Sequence, residues 1–518
     1  MKLKRENSLI NQGRSSKFLI VFILTFVVAK GFGIAFTKIF TNVLDQNEMG
    51  QYQVVISAIS LILSFSAIGF PTALNRYAIR YKTKNQIKEL KDFIFSGFII
   101  FIILEFLILV TLLILYYSFS IKPWFLQVEF YVKTLFLIAI VVLTQFINTM
   151  CYVISSSLQN SKYYGIIMVM RILLQIPFGM LFVLKYDLGP FGLIFGLAVS
   201  ESLVAVYSMF IIISDIGIGK FSFKELKKIL EFSLPVYVNG FLMMGFNLII
   251  LIYVIYVDPI NGNNTIALYN YGALSVVNLI LLAGNVFRMV YRPIVYKYYE
   301  RNQYNEMIEL TVRVLKIFLI LIFFLAIFIF AFSPLLIQFF TQSSYLPSLV
   351  AIPILLISVI FTYLPNIISY GHSLYFKNYW NLIASLTSLL LASLVGYFII
   401  PKNGLLGISF AYLTLRFFYF IGLTIISQQY FRIKYDIKLI SKIILAIIVS
   451  ILIGIFLYLF AFNFLDIYTN IIISFSISGI GFVAIIFVSK IITKDDFQFL
   501  KNIFNVYIQA IKSRINSK

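Results

Sequence analysis

Residues 314–340 read VLKIFLILIFFLAIFIFAFSPLLIQFF, with Lys316 as the sole charged side chain. At about 1.5 Å rise per residue, a helix of this length crosses the roughly 30 Å hydrocarbon core of a bilayer. The run is too long for a barrel strand and does not alternate as one would, and bare strand edges cannot sit in lipid. Similar runs, bounded by charge and turn residues, recur near 18–42, 51–74, 93–118, 132–157, 166–185, 190–214, 232–257, 268–291, 347–370, 381–400, 404–427, 442–463 and 468–489. The reading is an all-α polytopic membrane protein of about 14 transmembrane helices. Composition agrees: 61% hydrophobic and 12% charged residues, with a mean hydropathy of +0.98, leave a 518-residue chain too little polar surface to cover a soluble fold. The first run follows a basic stretch but is about twice the length of a signal-peptide core and lacks a small-x-small cleavage site, so it reads as a retained span.

The net charge of +21 would suit nucleic acid only if it were gathered on one polar surface. Instead it is scattered between spans. With the N-terminus inside, 33 of the 41 lysines and arginines fall in segments on the inner side, and the outer segments hold only Lys122, Lys133, Lys185 and Lys402. The positive-inside rule then places both termini in the cytoplasm. Outer connections of at most roughly 13 residues leave no room for a folded domain. That argues against an enzyme such as a polysaccharide polymerase, which needs an outer catalytic loop. No nucleotide-binding loop is present, and no cofactor is expected. Cys151 lies alone in an apolar run and reads as a small buried hydrophobe. His372 has no second histidine nearby, so no metal site is expected. In the tail, Phe497, Leu500, Ile503, Phe504, Tyr507, Ile508 and Ile511 recur at helical spacing beside Lys501, Lys512 and Arg514, as in a helix lying on the inner membrane surface.

Gly189-Pro-Phe-Gly192-Leu-Ile-Phe-Gly196 recurs as Gly404-Leu-Leu-Gly407-Ile-Ser-Phe-Ala411, before the sixth and twelfth spans. Nearly the same offset relates Tyr52 to Tyr269 and Arg76 to Arg292. Two six-span units entering the membrane in the same direction follow, as in alternating-access transporters, although Gly-x-x-Gly also serves plain helix packing. The expected organisation is a cytoplasmic N-terminus (1–17), a first lobe (18–214), a linker (215–231), a second lobe (232–427), two further spans (428–489) and a basic tail (490–518).

The segment Lys38-Ile-Phe-Thr-Asn-Val-Leu-Asp-Gln-Asn-Glu-Met-Gly50-Gln-Tyr52, with the following span ending Ile68-Gly-Phe-Pro71-Thr-Ala-Leu-Asn-Arg76-Tyr77, resembles the first two helices of polysaccharide flippases. These belong to the multidrug/oligosaccharidyl-lipid/polysaccharide (MOP) exporter superfamily. Tyr269-Asn-Tyr271 through Arg292-Pro293 is a looser copy. The chain departs from the family in carrying Lys38 in place of the commoner arginine and Thr-Asn-Val-Leu-Asp in place of a Leu-Gly turn. The resemblance implies flipping of an undecaprenyl-diphosphate-linked oligosaccharide repeat unit for surface polysaccharide such as O-antigen. It also implies contact with membrane lipids and with the polysaccharide polymerase and chain-length machinery, and no nucleic-acid partner. A lipid-linked peptidoglycan precursor flippase and a drug or cation antiporter of the same superfamily are the rival readings.

Ionisable residues within spans are costly and usually face a cavity or a partner. Lys30, Glu105, Glu201 and Arg416 fall near mid-membrane, and Glu201 and Arg416 share one repeat position. Lys30, Lys38, Arg171 and Arg416 are the candidate lumen cations for the substrate diphosphate. The alternatives are a Lys30–Glu105 ion pair and snorkelling of Lys38 and Arg171 to head groups. Glu105 and Glu201 could couple transport to an ion gradient, or be structural. Arg76 and Arg80, with Arg288 and Arg292, end equivalent spans on the inner side, where guanidinium forks suit head-group capture and positive-inside topology equally. Asn239, Asn247, Asn278 and Asn285 could bind sugar hydroxyls or join helices.

Overall fold

The computed structural model describes residues 25, 27–84, 86–118, 128–157, 161–281, 284, 291, 295, 298–299, 302–369, 379–430, 432–433, 436–461, 465–489, 491–492 and 496. The tail positions from Phe497 onward, His372, Arg288, Arg292 and Asn285 lie outside them. Among the described residues there is no strand, and twelve helices are long and apolar enough to cross a membrane. Each matches one of the expected spans. The described parts of the other two, 27–43 and 268–281, are helical or turn.

By its contacts the chain divides after Ala267 into two compact units. The first holds α1 (27–43), α2 (Gln46–Ser66), α3 (Phe70–Thr83), α4 (Ile87–Ser118), α5 (Val128–Ser157), α6 (Ser161–Met180), α7 (Gly189–Asp215), α8 (Phe223–Val257) and α9 (Gly262–Ala267). The segment that carries the family resemblance is a helix start. The Asp45 carboxylate accepts from Glu48 N at 2.8 Å and the Glu48 carboxylate accepts from Asp45 N at 3.1 Å, a reciprocal cap that begins α2. Ile68-Gly-Phe-Pro71 then breaks the span. Gly69 sits at φ +65, where a side chain is disfavoured, and a Cβ there would meet Ser233 of α8 at 3.0 Å. The core is aromatic, with Phe70, Phe93, Phe101 and Phe146 fully buried and in ring contact across α3, α4 and α5. α2 packs against α4 and α5 as well as α7, α8 and α9.

The second unit holds α10 (Tyr304–Phe340), α11 (Ile352–Tyr363), α12 (Tyr379–Ile399), α13 (Gly404–Tyr430), α14 (Ile437–Phe456) and α15 (Ile467–Val488). Asp436 and Asp466 cap the last two, each accepting from a backbone amide three residues on at 3.0 Å. Their core is Ile327, Ile443, Ile447, Phe482 and Ile486.

The repeated glycines do the same work in each unit. A Cβ on Gly192 of α7 would lie 2.9 Å from the backbone carbon of Phe182, and one on Gly407 of α13 would lie 2.6 Å from Cα of Ile400. Both let a helix start press against the end of the helix before it.

Candidate functional site

In the first unit the polar side chains of four spans converge on Glu201, whose side chain is 4% exposed on α7. Arg171 of α6 reaches it with two nitrogens. Its Nε lies 2.9 and 3.0 Å from the two carboxylate oxygens, and Nη2 lies 2.7 Å from Oε1. Asn148 of α5 donates from Nδ2 to Oε2 at 2.7 Å and to the Glu201 carbonyl at 3.1 Å. Gln145 donates from 3.5 Å. Ser208, two turns along α7, donates to Asn148 Oδ1 at 2.8 Å and so fixes the amide's orientation. One turn beyond Arg171, Gln175 donates to the hydroxyl of Tyr52 on α2 at 3.1 Å. Tyr52 in turn lies within electrostatic reach of Glu201. A carboxylate inside a helical bundle is tolerable only when its charge and lone pairs are met, and here they are.

The orientation follows from helical period. The exposed Leu173 and Met180 lie about 180–200° around α6 from Arg171, while Gln175 shares its side. Arg171 therefore points away from the lipid-facing stripe. Snorkelling is not its arrangement in this structure, and the two residues read from sequence as a separate cation and carboxylate are each other's partner.

The second unit repeats the layout with the sign reversed. Tyr269, fully buried, stacks on Tyr412 with ring centroids 5.6 Å apart. Both are within electrostatic reach of Arg416, one turn further along α13. Tyr269 and Arg416 occupy the repeat positions of Tyr52 and Glu201. Among the described residues no carboxylate pairs with Arg416.

Glu105 is buried on α4 at 5% exposure, and among the described residues no hydrogen bond or ion pair reaches its carboxyl. The Lys30–Glu105 pair considered from their equal depth is thus not formed. Lys30 is exposed and Lys38 half-buried on α1. Asn247 donates to Ser57 at 3.4 Å, joining α8 to α2 as an interhelical amide. Cys151 is a buried free thiol.

At the basic end of the first unit, Arg76 and Arg80 are exposed. The Arg76 guanidinium lies 4.7 Å from the Phe232 ring centroid, a cation–π contact, and Arg80 lies 6.0 Å from that of Tyr77. Beside them is a cluster that sequence reading missed. The Tyr81 hydroxyl donates to the buried Glu225 carboxylate, and Lys228 Nζ donates to both, at 3.0 Å to Tyr81 and 2.5 Å to Glu225. Burial, and then the bond to Glu225, push the Tyr81 phenol up to about 12. For Lys228 burial works downward, but Glu225 and Tyr81 outweigh it and raise the ammonium's pKa. These three residues tie α3 to the start of α8. Their only sequence signal was the helix-start pattern Ser222-x-x-Glu225.

No protein-family model and no curated protein sequence matches the chain. Solved structures do. A lipid II flippase, MurJ, in an inward closed conformation aligns with a TM-score of 0.65 at 16% identity, covering 90% of this chain and 97% of that one. Inward-facing and outward-facing conformations of a multidrug resistance MATE family transporter of the MOP superfamily align with TM-scores of 0.55 and 0.53 at 14% and 15% identity. They cover 79% and 81% of this chain and 94% of theirs. The fold of this chain is the fold of these membrane transporters.

Proposed function

We propose that this chain is a flippase of the cytoplasmic membrane, moving undecaprenyl-diphosphate-linked oligosaccharide repeat units from the inner to the outer leaflet by alternating access. The observation that carries the reading is how much of the chain the fold comparison accounts for. The lipid II flippase structure covers 90% of it, against 79–81% for the multidrug transporter conformations. That favours a lipid-linked substrate over a free drug. The segment from Lys38 to Tyr77, with its polysaccharide-flippase pattern, favours sugar repeat units over the peptidoglycan precursor. The charges support an anionic cargo: Glu201 is neutralised by Arg171, while Arg416 has no carboxylate partner among the described residues. The exposed Arg76 and Arg80 at the basic end suit capture of a diphosphate head group. In this reading Lys30 and Lys38 are further cations on the substrate's path. Glu105, which no side chain among the described residues pairs, is the carboxylate able to take up and release an ion, whereas Glu201 is committed to Arg171.

The test is expression in a host that lacks its own polysaccharide flippase, following lipid-linked repeat units and surface polymer. Restored polymer supports the reading. Normal membrane expression without polymer, across hosts that make different repeat units, overturns it in favour of the precursor flippase or the antiporter.

A further inference from the structure

The two units treat one repeat position in opposite ways. At the first, Glu201 has a bidentate guanidinium and two amides, so its charge is cancelled within the protein. At the second, Arg416 has two tyrosines in reach and, among the described residues, no carboxylate. A guanidinium within a membrane span is expensive unless something supplies the opposite charge. Nor can it reach lipid head groups by turning outward. The exposed Phe410, Phe417, Phe418 and Ile425 lie about 100–200° around α13 from Arg416, whereas Tyr412, Ser409 and Ser427 share its side.

We propose that Arg416 on α13, backed by Tyr412 and Tyr269, is a binding site for a phosphate-bearing lipid head group, and that the ligand supplies the counter-charge that Arg171 supplies to Glu201 in the first unit. The guanidinium offers planar paired donors that match phosphate oxygens. Tyr412 lies one helical turn away on the same side. Stacking of Tyr269 on Tyr412 holds the second ring in place. The proposal deepens the flippase reading, since it says which cation meets the diphosphate, but the same chemistry would take the phosphate of an ordinary anionic phospholipid.

The full-length protein is purified into nanodiscs of phosphatidylcholine. Binding of undecaprenyl diphosphate, undecaprenol and phosphatidylglycerol is measured, with thermal unfolding recorded with and without each lipid. For the wild type, undecaprenyl diphosphate binds and raises the unfolding temperature while neutral undecaprenol does not. Arg416→Gln weakens diphosphate binding by about 10-fold or more, as expected for loss of a charge-assisted hydrogen bond, and Arg416→Lys weakens it less. In phosphatidylcholine alone, whose phosphate is already neutralised by its own choline, the unfolding temperature of Arg416→Gln equals or exceeds that of the wild type, because an uncompensated charge has been removed. Arg171→Gln, which strands Glu201, lowers it. If Arg416→Gln lowers stability in phosphatidylcholine alone as Arg171→Gln does, or binds undecaprenyl diphosphate like the wild type, the proposal is wrong. Binding of phosphatidylglycerol alone, lost in Arg416→Gln, keeps the anion site and removes support for the flippase reading. Full surface polymer from the Arg416→Gln protein in the flippase-deficient host does the reverse.

Discussion

Arg171 and Glu201 stand on spans 30 residues apart in sequence, and nothing in the sequence says that they touch. Depth in the membrane can be counted along a span, but the direction a side chain faces and the neighbour it meets depend on helix packing. That is why equal depth suggested Lys30 with Glu105, while the structure joins Glu201 to Arg171. The consequence is measurable. Arg171→Gln leaves a buried carboxylate without its cation and should cost about 2–4 kcal/mol of stability, allowing for the partial exposure of the guanidinium. The double variant Arg171→Gln, Glu201→Gln removes both charges and should recover most of that loss, read as thermal unfolding in detergent. The Tyr81–Glu225–Lys228 cluster predicts a pH effect. Both Tyr81 and Lys228 have folded pKa values raised above their ordinary ones. Their contribution to stability is therefore fully present at neutral pH and is lost as pH rises from about 10 through the raised values. Wild-type protein should lose unfolding temperature over that alkaline window more steeply than Tyr81→Phe. Parallel curves would show that the cluster does not titrate as a unit.

Helix existence was legible because a span must keep about 20 residues apolar, but the polar turns by which α8 (Phe223–Val257) and α10 (Tyr304–Phe340) extend beyond the spans expected at 232–257 and 314–340 carry no such constraint. Helix starts are set by polar caps at Asp45, Ser222, Asp436 and Asp466, which the reading of apolar runs did not use. Gly69 enters the sequence reading only as one letter of the motif that carries the resemblance, while in space it is where α3 turns away from α2 beside α8. The repeat was legible through glycines whose role can now be stated. A methyl group on Gly192 or Gly407 would enter the backbone of the preceding helix end, which cannot give way as a side-chain tip could. Gly192→Ala and Gly407→Ala should each cost about 1–3 kcal/mol, the usual penalty of overpacking. Gly31 and Gly33 on α1 face open space. Alanine at either should be neutral or stabilising by about 0.5–1 kcal/mol, through reduced backbone freedom. Thermal unfolding of the four single variants checks the contrast, and equal losses at all four would mean that the close approach at the repeated glycines carries no weight.

For the molecule as a whole, the one-sided distribution of Lys and Arg is a statement about parity. Lys220 follows the sixth span and Lys402 follows the eleventh, so five crossings separate them if every expected span crosses. One of those five, 268–291, is the span the structure describes only in part, and the apolar run there is the one whose crossing rests on the charge pattern. A labelling experiment decides it. Cys151 is 1% exposed inside α5 and should stay silent toward a membrane-impermeant maleimide, so the native protein supplies a clean background. Lys220 and Lys402 are both exposed, at the two ends of the counted stretch. Lys402→Cys should label on intact cells, and Lys220→Cys only after the membrane is opened. Labelling of both from the same side would mean an even number of crossings between them, placing 268–291 within one leaflet or along the surface. The charges of the following basic segment would then lie on the outer side, against the field that orients such proteins. Labelling from opposite sides fixes the odd count and places the basic segment after 291 on the same side as Arg76 and Arg80, where head-group capture requires it.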